Sequence, residues 1–300
     1  MVEAALRLMP AGFMERTIHL RTAEILSQPA SRIQIMGDSV TARINASNVA
    51  QAANLPPGSV ANYSLPGTSP VFAYYTLRRE LAAGRVPSLI ILAPHPANLE
   101  SPMIDRFIGR FATPSESLDL FSHGVSLPDW LFGLTCRASI AMRDREEFRL
   151  ALTTGDLGFF KTLHTPPIPL SQAPLPPSAP PPPLPLTDFP AQLSAPFSVG
   201  PVNLSYINAF CSLAASRRIK VAWVTLPVIA LFKERAMANG GEARLQAFLN
   251  TVAAQNPNVT LLHPALEVYP DNCFADPWHL NPYGAYRLSA ELGASLSKYP

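Results

Sequence analysis

The chain is short of charge and has no block of it. Lys and Arg number 23 against 21 Asp and Glu in 300 residues, a charged share of 15% and a net charge of +2. That balance gives no argument for nucleic acid or an anionic membrane as a partner, and neither is expected. Long apolar runs are missing too. No stretch nears the roughly 18 continuous apolar residues of a membrane helix, and the richest, 221–232, is interrupted by Pro227. The first 26 residues carry Glu and Arg where a signal peptide needs an apolar centre and a small-residue cleavage site. The chain therefore reads as soluble and unsecreted, with an upstream anchor left open and its compartment undecided. Cysteine is scarce: Cys136, Cys211 and Cys273 are an odd count without a CxxC pair. They suit buried or incidental thiols and not a disulfide framework or zinc site. His19, His123, His164 and His263 show no ligand spacing, so no metal and no cofactor is expected.

Proline, by contrast, is abundant. The 33 prolines are about twice what the usual 5% would give. Twelve lie within 166–190, including the run 180–183. Such density removes backbone donors and rules out a helix or a central strand, so 165–197 is expected to be extended, a surface loop or spacer. Docking to a proline-binding module is the alternative.

On both sides of this segment, strand-like and helix-like patterns alternate. Short apolar runs at 32–36, 59–64, 88–93, 219–225 and 259–262 are mostly continuous, as in parallel strands covered on both faces. Helical patterns lie at 12–27, 70–83 and 203–217, and 229–255 reads as two helices split at Gly240-Gly241. The expectation is an α/β fold with a doubly wound, mostly parallel five-stranded sheet and helices on both faces. Residues 1–100 and 200–300 would build it. Residues 101–199 would form an insertion after strand three, helical first and proline-rich later.

Two segments carry chemistry. The first strand runs into Gly37-Asp38-Ser39, with a helix expected over 40–51. Glycine permits the sharp turn, and the serine then sits at the carboxyl edge of the sheet, where parallel α/β folds place their sites. A helix N-terminus beside it would add N–H groups and a positive dipole end. Read alone, Ser39 could as well cap a helix. Near the other end stands Asp276-Pro-Trp-His279-Leu-Asn281-Pro-Tyr-Gly284, with Asn281 placed as the cap of a last helix. Across three residues a carboxylate reaches an imidazole Nδ1–H, which leaves Nε2 free to take a hydroxyl proton. A lone D-x-x-H could equally be a loop histidine bonded to its neighbour. Both motifs fall at one sheet edge in the expected topology. Trp130 and Trp278 are candidates to line a sugar or acyl pocket, or simply to pack. Asp38 reads as structural.

With these motifs in this order the chain resembles the SGNH/GDSL hydrolase superfamily, and most closely its polysaccharide O-acetyltransferase-like, alginate O-acetyltransferase-type branch. The likeness covers the two outer segments. It implies a three-layer flavodoxin-like fold, Ser39 as nucleophile, His279 as base and Asp276 as its partner. It also implies an oxyanion hole from the N–H groups of Ser39 and Gly67 and the side chain of Asn98. The third block of that family, G-x-N-D, is not intact here, where 92–99 reads LAPHPANL; His95 is the poorer candidate beside Asn98. The resemblance further implies extracytoplasmic work beside a membrane acyltransferase partner.

The function expected is serine-dependent acyl transfer through an acyl-Ser39 intermediate, acting on a carbohydrate or small ester, with the acyl donor not identified by the sequence. The acceptor is water in an esterase or a carbohydrate hydroxyl in an O-acetyltransferase, and the sequence does not separate the two. The alternative is a non-catalytic binding or scaffold protein of an exopolysaccharide-modification system, with the broken third block as its mark.

Overall fold

Five short, largely apolar runs form strands: β1 (Ile33–Gly37), β2 (Val60–Asn62), β3 (Leu89–Ala93), β4 (Lys220–Val224) and β5 (Val259–His263). They belong to a computed structural model that describes residues 22–25, 27, 30–145, 149, 153, 179–183, 197–263 and 266–296. All pair in parallel in the order β2-β1-β3-β4-β5, and the sheet is open. Ile35, Ile90, Ile91 and Val224 are wholly buried. Each such side chain is worth about 1.5–3 kcal/mol in burial alone. Continuous apolar strands need cover on both faces, and helices supply it.

The helices between strands are α1 (Ala46–Ala52), α2 (Pro70–Ala82), then α3 (Ile104–Arg110), α4 (Pro114–Asp119), α5 (Leu127–Ala138) and α6 (Ile140–Arg143) in the insertion. After it come α7 (Pro201–Ser216), α8 (Ala230–Ala238), α9 (Gly241–Gln255) and the last helix, α10 (Pro282–Leu296). The first crossover runs one way from β1 and the later ones run the other way. Right-handed connections therefore put α1 on one face and α2, α7, α8 and α9 on the opposite face. Accordingly α10 packs on α1, and α2 on α7. The fold is a doubly wound three-layer α/β structure whose strand order reverses at β1.

One expected element is different. The helix read over 40–51 is broken: a 3₁₀ turn, Thr41–Arg43, precedes α1, which starts only at Ala46. The reason lies in two asparagines. The Asn45 side chain accepts from Asn48 N–H at 3.0 Å and caps α1. Asn62 Nδ2 donates to the carbonyls of Thr41 (2.9 Å) and Ile44 (2.8 Å), so these carbonyls are satisfied outside any helix.

Helices α3 and α5 build a second core with α2 and α7, around Phe72, Tyr75, Phe107 and Tyr206. Where the insertion departs and returns, the chain closes on itself: Gly200 N–H donates to Leu99 C=O at 2.9 Å, and Asn203 Nδ2 to the same carbonyl at 2.9 Å. The helix expected over 12–27 and the extended stretch expected over 165–197 lie outside the described residues, except for 22–25, 27, 179–183 and 197. Among the described residues no helix is long and apolar enough to cross a membrane, and all three cysteines are buried.

Candidate active site

Strand β1 ends at Gly37 because the chain must pass between Thr41 and Ala93. A Cβ built on Gly37 would lie 2.7 Å from the Ala93 carbonyl and clash with Thr41 Oγ1. That closeness lets the Thr41 hydroxyl donate to Ala93 C=O and lock the turn onto β3. Asp38, only 1% exposed, then fixes the turn from inside. Its Oδ1 accepts from Val40 N–H at 2.9 Å, and its Oδ2 accepts from His95 N–H and Asn98 Nδ2, both at 2.7 Å. A buried carboxylate with three donors is satisfied, and it ties the loop after β3 to the turn after β1. Ser39 is left half-buried at the carboxyl edge of the sheet, beside the switch point between β1 and β3.

The loop before α10 reaches the same place. Phe274 pairs with Leu280 across it, and Asn281 caps α10 by accepting from Gly284 N–H at 3.0 Å. Inside the loop, Asp276 Oδ1 accepts from the N–H groups of Trp278 and His279, both at 2.9 Å. His279 Nδ1–H donates to Asp276 Oδ2 at 2.8 Å, and the Ser39 hydroxyl donates to His279 Nε2 at 2.9 Å. Burial pushes the Asp276 carboxyl up, but hydrogen bonds from His279 and Trp278 and the attraction of the imidazole outweigh it and hold the group down to about 2. The carboxylate is thus ionised where an imidazole would act as a base.

The three residues read from opposite ends of the sequence, Ser39, Asp276 and His279, meet in one hydrogen-bonded chain. The candidate oxyanion donors are less uniformly placed. Asn98 lines the cleft at Ser39, with its amide nitrogen already engaged by Asp38. Gly67 sits in the turn after β2 with φ 65° and, among the described residues, is outside the lining of that cleft. The helix N-terminus expected beside Ser39 is not there. The break at residues 44–45 moves α1 away, and Asp38 takes the Val40 N–H that such an end would have offered.

The cleft holds about 550 Å³. One wall is apolar, from Phe232, Leu245, Leu266 and Trp278; the stems of the insertion supply Glu100 and Arg106. None of these wall residues except Trp278 was singled out in the sequence, since they come from separate elements. Trp130 lies elsewhere, packed on Phe121 with its Nε1–H donated to Ser117 C=O at 2.7 Å. Among the described residues no group of three or more His, Cys, Asp or Glu is arranged to hold a metal ion. No family model matches this chain, and no curated protein matches it.

Proposed function

We propose that this chain is a serine-dependent acyl-transfer enzyme of the SGNH type, an esterase or carbohydrate O-acetyltransferase working through an acyl-Ser39 intermediate. The observation that carries the reading is the continuous chain Ser39 Oγ, His279 Nε2, His279 Nδ1, Asp276 Oδ2, with steps of 2.9 and 2.8 Å, opening on a cleft. Those distances are the working range of a nucleophile, its base and the group that orients the base.

In the proposed first step Ser39 Oγ bonds to the ester carbonyl carbon while its proton passes to His279 Nε2. Asp276 stabilises the imidazolium and keeps the ring in its tautomer. The carbonyl electrons move onto oxygen, and N–H groups at Ser39, Gly67 and Asn98 are the donors proposed to hold it. Collapse breaks the bond to the leaving alcohol, which takes the proton from His279. In the second step an acceptor hydroxyl gives its proton to His279 and bonds to the acyl carbon; the bond to Ser39 Oγ breaks, and Ser39 takes the proton back from His279. Water as acceptor makes an esterase and a sugar hydroxyl makes a transferase. A cleft walled partly by the insertion supports an acceptor site that can compete with water.

The test is covalent capture. A fluorophosphonate should label Ser39, and an activated acetyl ester should leave an acetyl group there, both found by peptide mass spectrometry. Incubation with oligosaccharides then separates the acceptors by whether the acetyl group appears on sugar or in water. Wild-type protein that takes up neither reagent would leave the non-catalytic binding reading in its place.

A further inference from the structure

The loop after β3 puts a second imidazole at the cleft. His95 is 4% exposed. Its backbone N–H is bound to Asp38, the residue preceding Ser39, at 2.7 Å. Its ring meets Trp278, the residue preceding His279, edge-on with centroids 4.9 Å apart. His95 thus touches the residue next to each half of the Ser39–His279 pair and lines the same cleft. Its protonation state is legible from one contact. Ala97 N–H donates to His95 Nδ1 at 3.3 Å, capping the short turn Pro96–Asn98. A nitrogen that accepts carries no hydrogen, so the neutral ring must carry its proton on Nε2.

That Nε2–H has no partner among the described residues. Nor is it sealed in the interior. The unpartnered polar atoms that are buried include Tyr63 Oη and Thr225 Oγ1 but not this one, and the ring lines the cleft beside Ser39. A lone donor at the end of a fixed, buried ring suits a developing negative charge, because its orientation is set before the reaction.

We propose that His95 is a further catalytic residue, whose neutral ring donates Nε2–H to the substrate carbonyl oxygen and holds the oxyanion formed as Ser39 attacks. The proposal rests on the serine acyl-transfer reading. It adds His95 to the side-chain donors beside Asn98, whose amide gives one of its two hydrogens to Asp38. Burial, opposed by Asp38 and reinforced by His279, pulls the His95 imidazole down to about 4. The ring thus stays neutral and a donor, in contrast to His279, whose role needs a lone pair on Nε2.

Two substitutions separate donation from packing. His95→Phe fills the space against Trp278 without a donor, and His95→Ser keeps an oxygen that can cap the turn but is too short to reach substrate. With p-nitrophenyl acetate as probe, both should lose about 100- to 1,000-fold in kcat with little change in KM. Either variant, folded and within about threefold of the wild-type kcat, would overturn the assignment. Wild-type protein gives an independent readout: phenylboronic acid forms a tetrahedral adduct on Ser39, and the His95 Nε2–H proton resonance should shift with it. An unmoved resonance overturns the assignment as well. Failure of wild-type Ser39 to react with a fluorophosphonate sinks the acyl-transfer reading and this proposal together. Labelled Ser39 with unaffected His95 variants sinks the proposal alone.

Discussion

The backbone N–H of Asn45 donates to the hydroxyl of Ser289 at 2.9 Å, and both residues are completely buried. Asn45 caps the helix that follows the Ser39 turn; Ser289 lies in α10, the helix that carries the His279 loop. Ser289 in turn donates to Ala285 C=O at 2.6 Å within its own helix. This hydroxyl ties the helix after the Ser39 turn to the helix that follows the His279 loop, and so links the two halves of the candidate site.

Ser289→Ala should remove the buried hydroxyl that accepts from Asn45 N–H, at a cost of about 1–3 kcal/mol. Urea unfolding measures it. A variant as stable as wild type would show that another acceptor replaces the hydroxyl, and that the two halves are not tied here.

At Asp38, asparagine keeps the shape but turns an acceptor of three N–H groups into a mixed group. Asp38→Asn should destabilise the fold by at least about 2 kcal/mol, because charged hydrogen bonds in the interior are lost and donors face donors. It should also slow acylation by loosening the loop that carries His95 and Asn98. Calorimetry and an ester burst assay on the same sample report both effects. Full stability with full activity would remove Asp38 from its place as the tie between the loops.

Gly37→Ala tests the close passage at the end of β1. Its methyl group would meet the Ala93 carbonyl at 2.7 Å, a backbone atom with no room to retreat. The overpacking should cost about 1–3 kcal/mol and displace Ser39, with a loss of fluorophosphonate labelling larger than the loss of stability explains. Normal labelling at wild-type stability would contradict the geometry.

Acid sensitivity should come in two windows. Asp276 is held at about 2 in the folded chain against about 3.9 unfolded. Its stabilisation is therefore complete above about pH 3.9 and lost as pH falls toward about 2. His95, facing Asp38, His279, Trp278 and Phe232, is held at about 4 against about 6.5 unfolded. Its buried neutral form favours the fold fully above about pH 6.5, and that contribution drains away as pH falls to about 4. Thermal melts from pH 2 to 8 should thus be flatter for His95→Phe in the upper window and for Asp276→Asn in the lower one. Melting curves parallel to wild type in both windows would refute the assignment of these two groups.

Among the proposed catalytic residues, Asp276→Asn should cut the acylation rate on the order of 1,000- to 10,000-fold while the fold survives, since the asparagine can present the wrong partner to the His279 ring. Ser39→Ala should abolish the burst. A burst of wild-type size from Ser39→Ala would mean that another nucleophile is at work.

The sequence by itself determined the sheet, because continuous apolar runs bounded by Gly, Pro and Asn have few alternatives to buried parallel strands. It also determined the break at Gly240-Gly241 and the cap at Asn281, which depend on neighbours a few residues away. The pairing of Asp276 with His279 belongs to the same class, being three residues long. The interrupted helix after Ser39 was beyond it: residues 40–51 have a helical pattern, and what breaks it is a side chain from β2, Asn62, bonded to two carbonyls. The contact between His279 and Ser39 joins residues 240 apart and was legible only through the topology that both motifs share. The cleft walls, the commitment of Asn98 to Asp38 and the fixed tautomer of His95 were decided by tertiary structure alone. Each depends on which groups are left without water and which donor reaches them first, and no spacing along the chain records that.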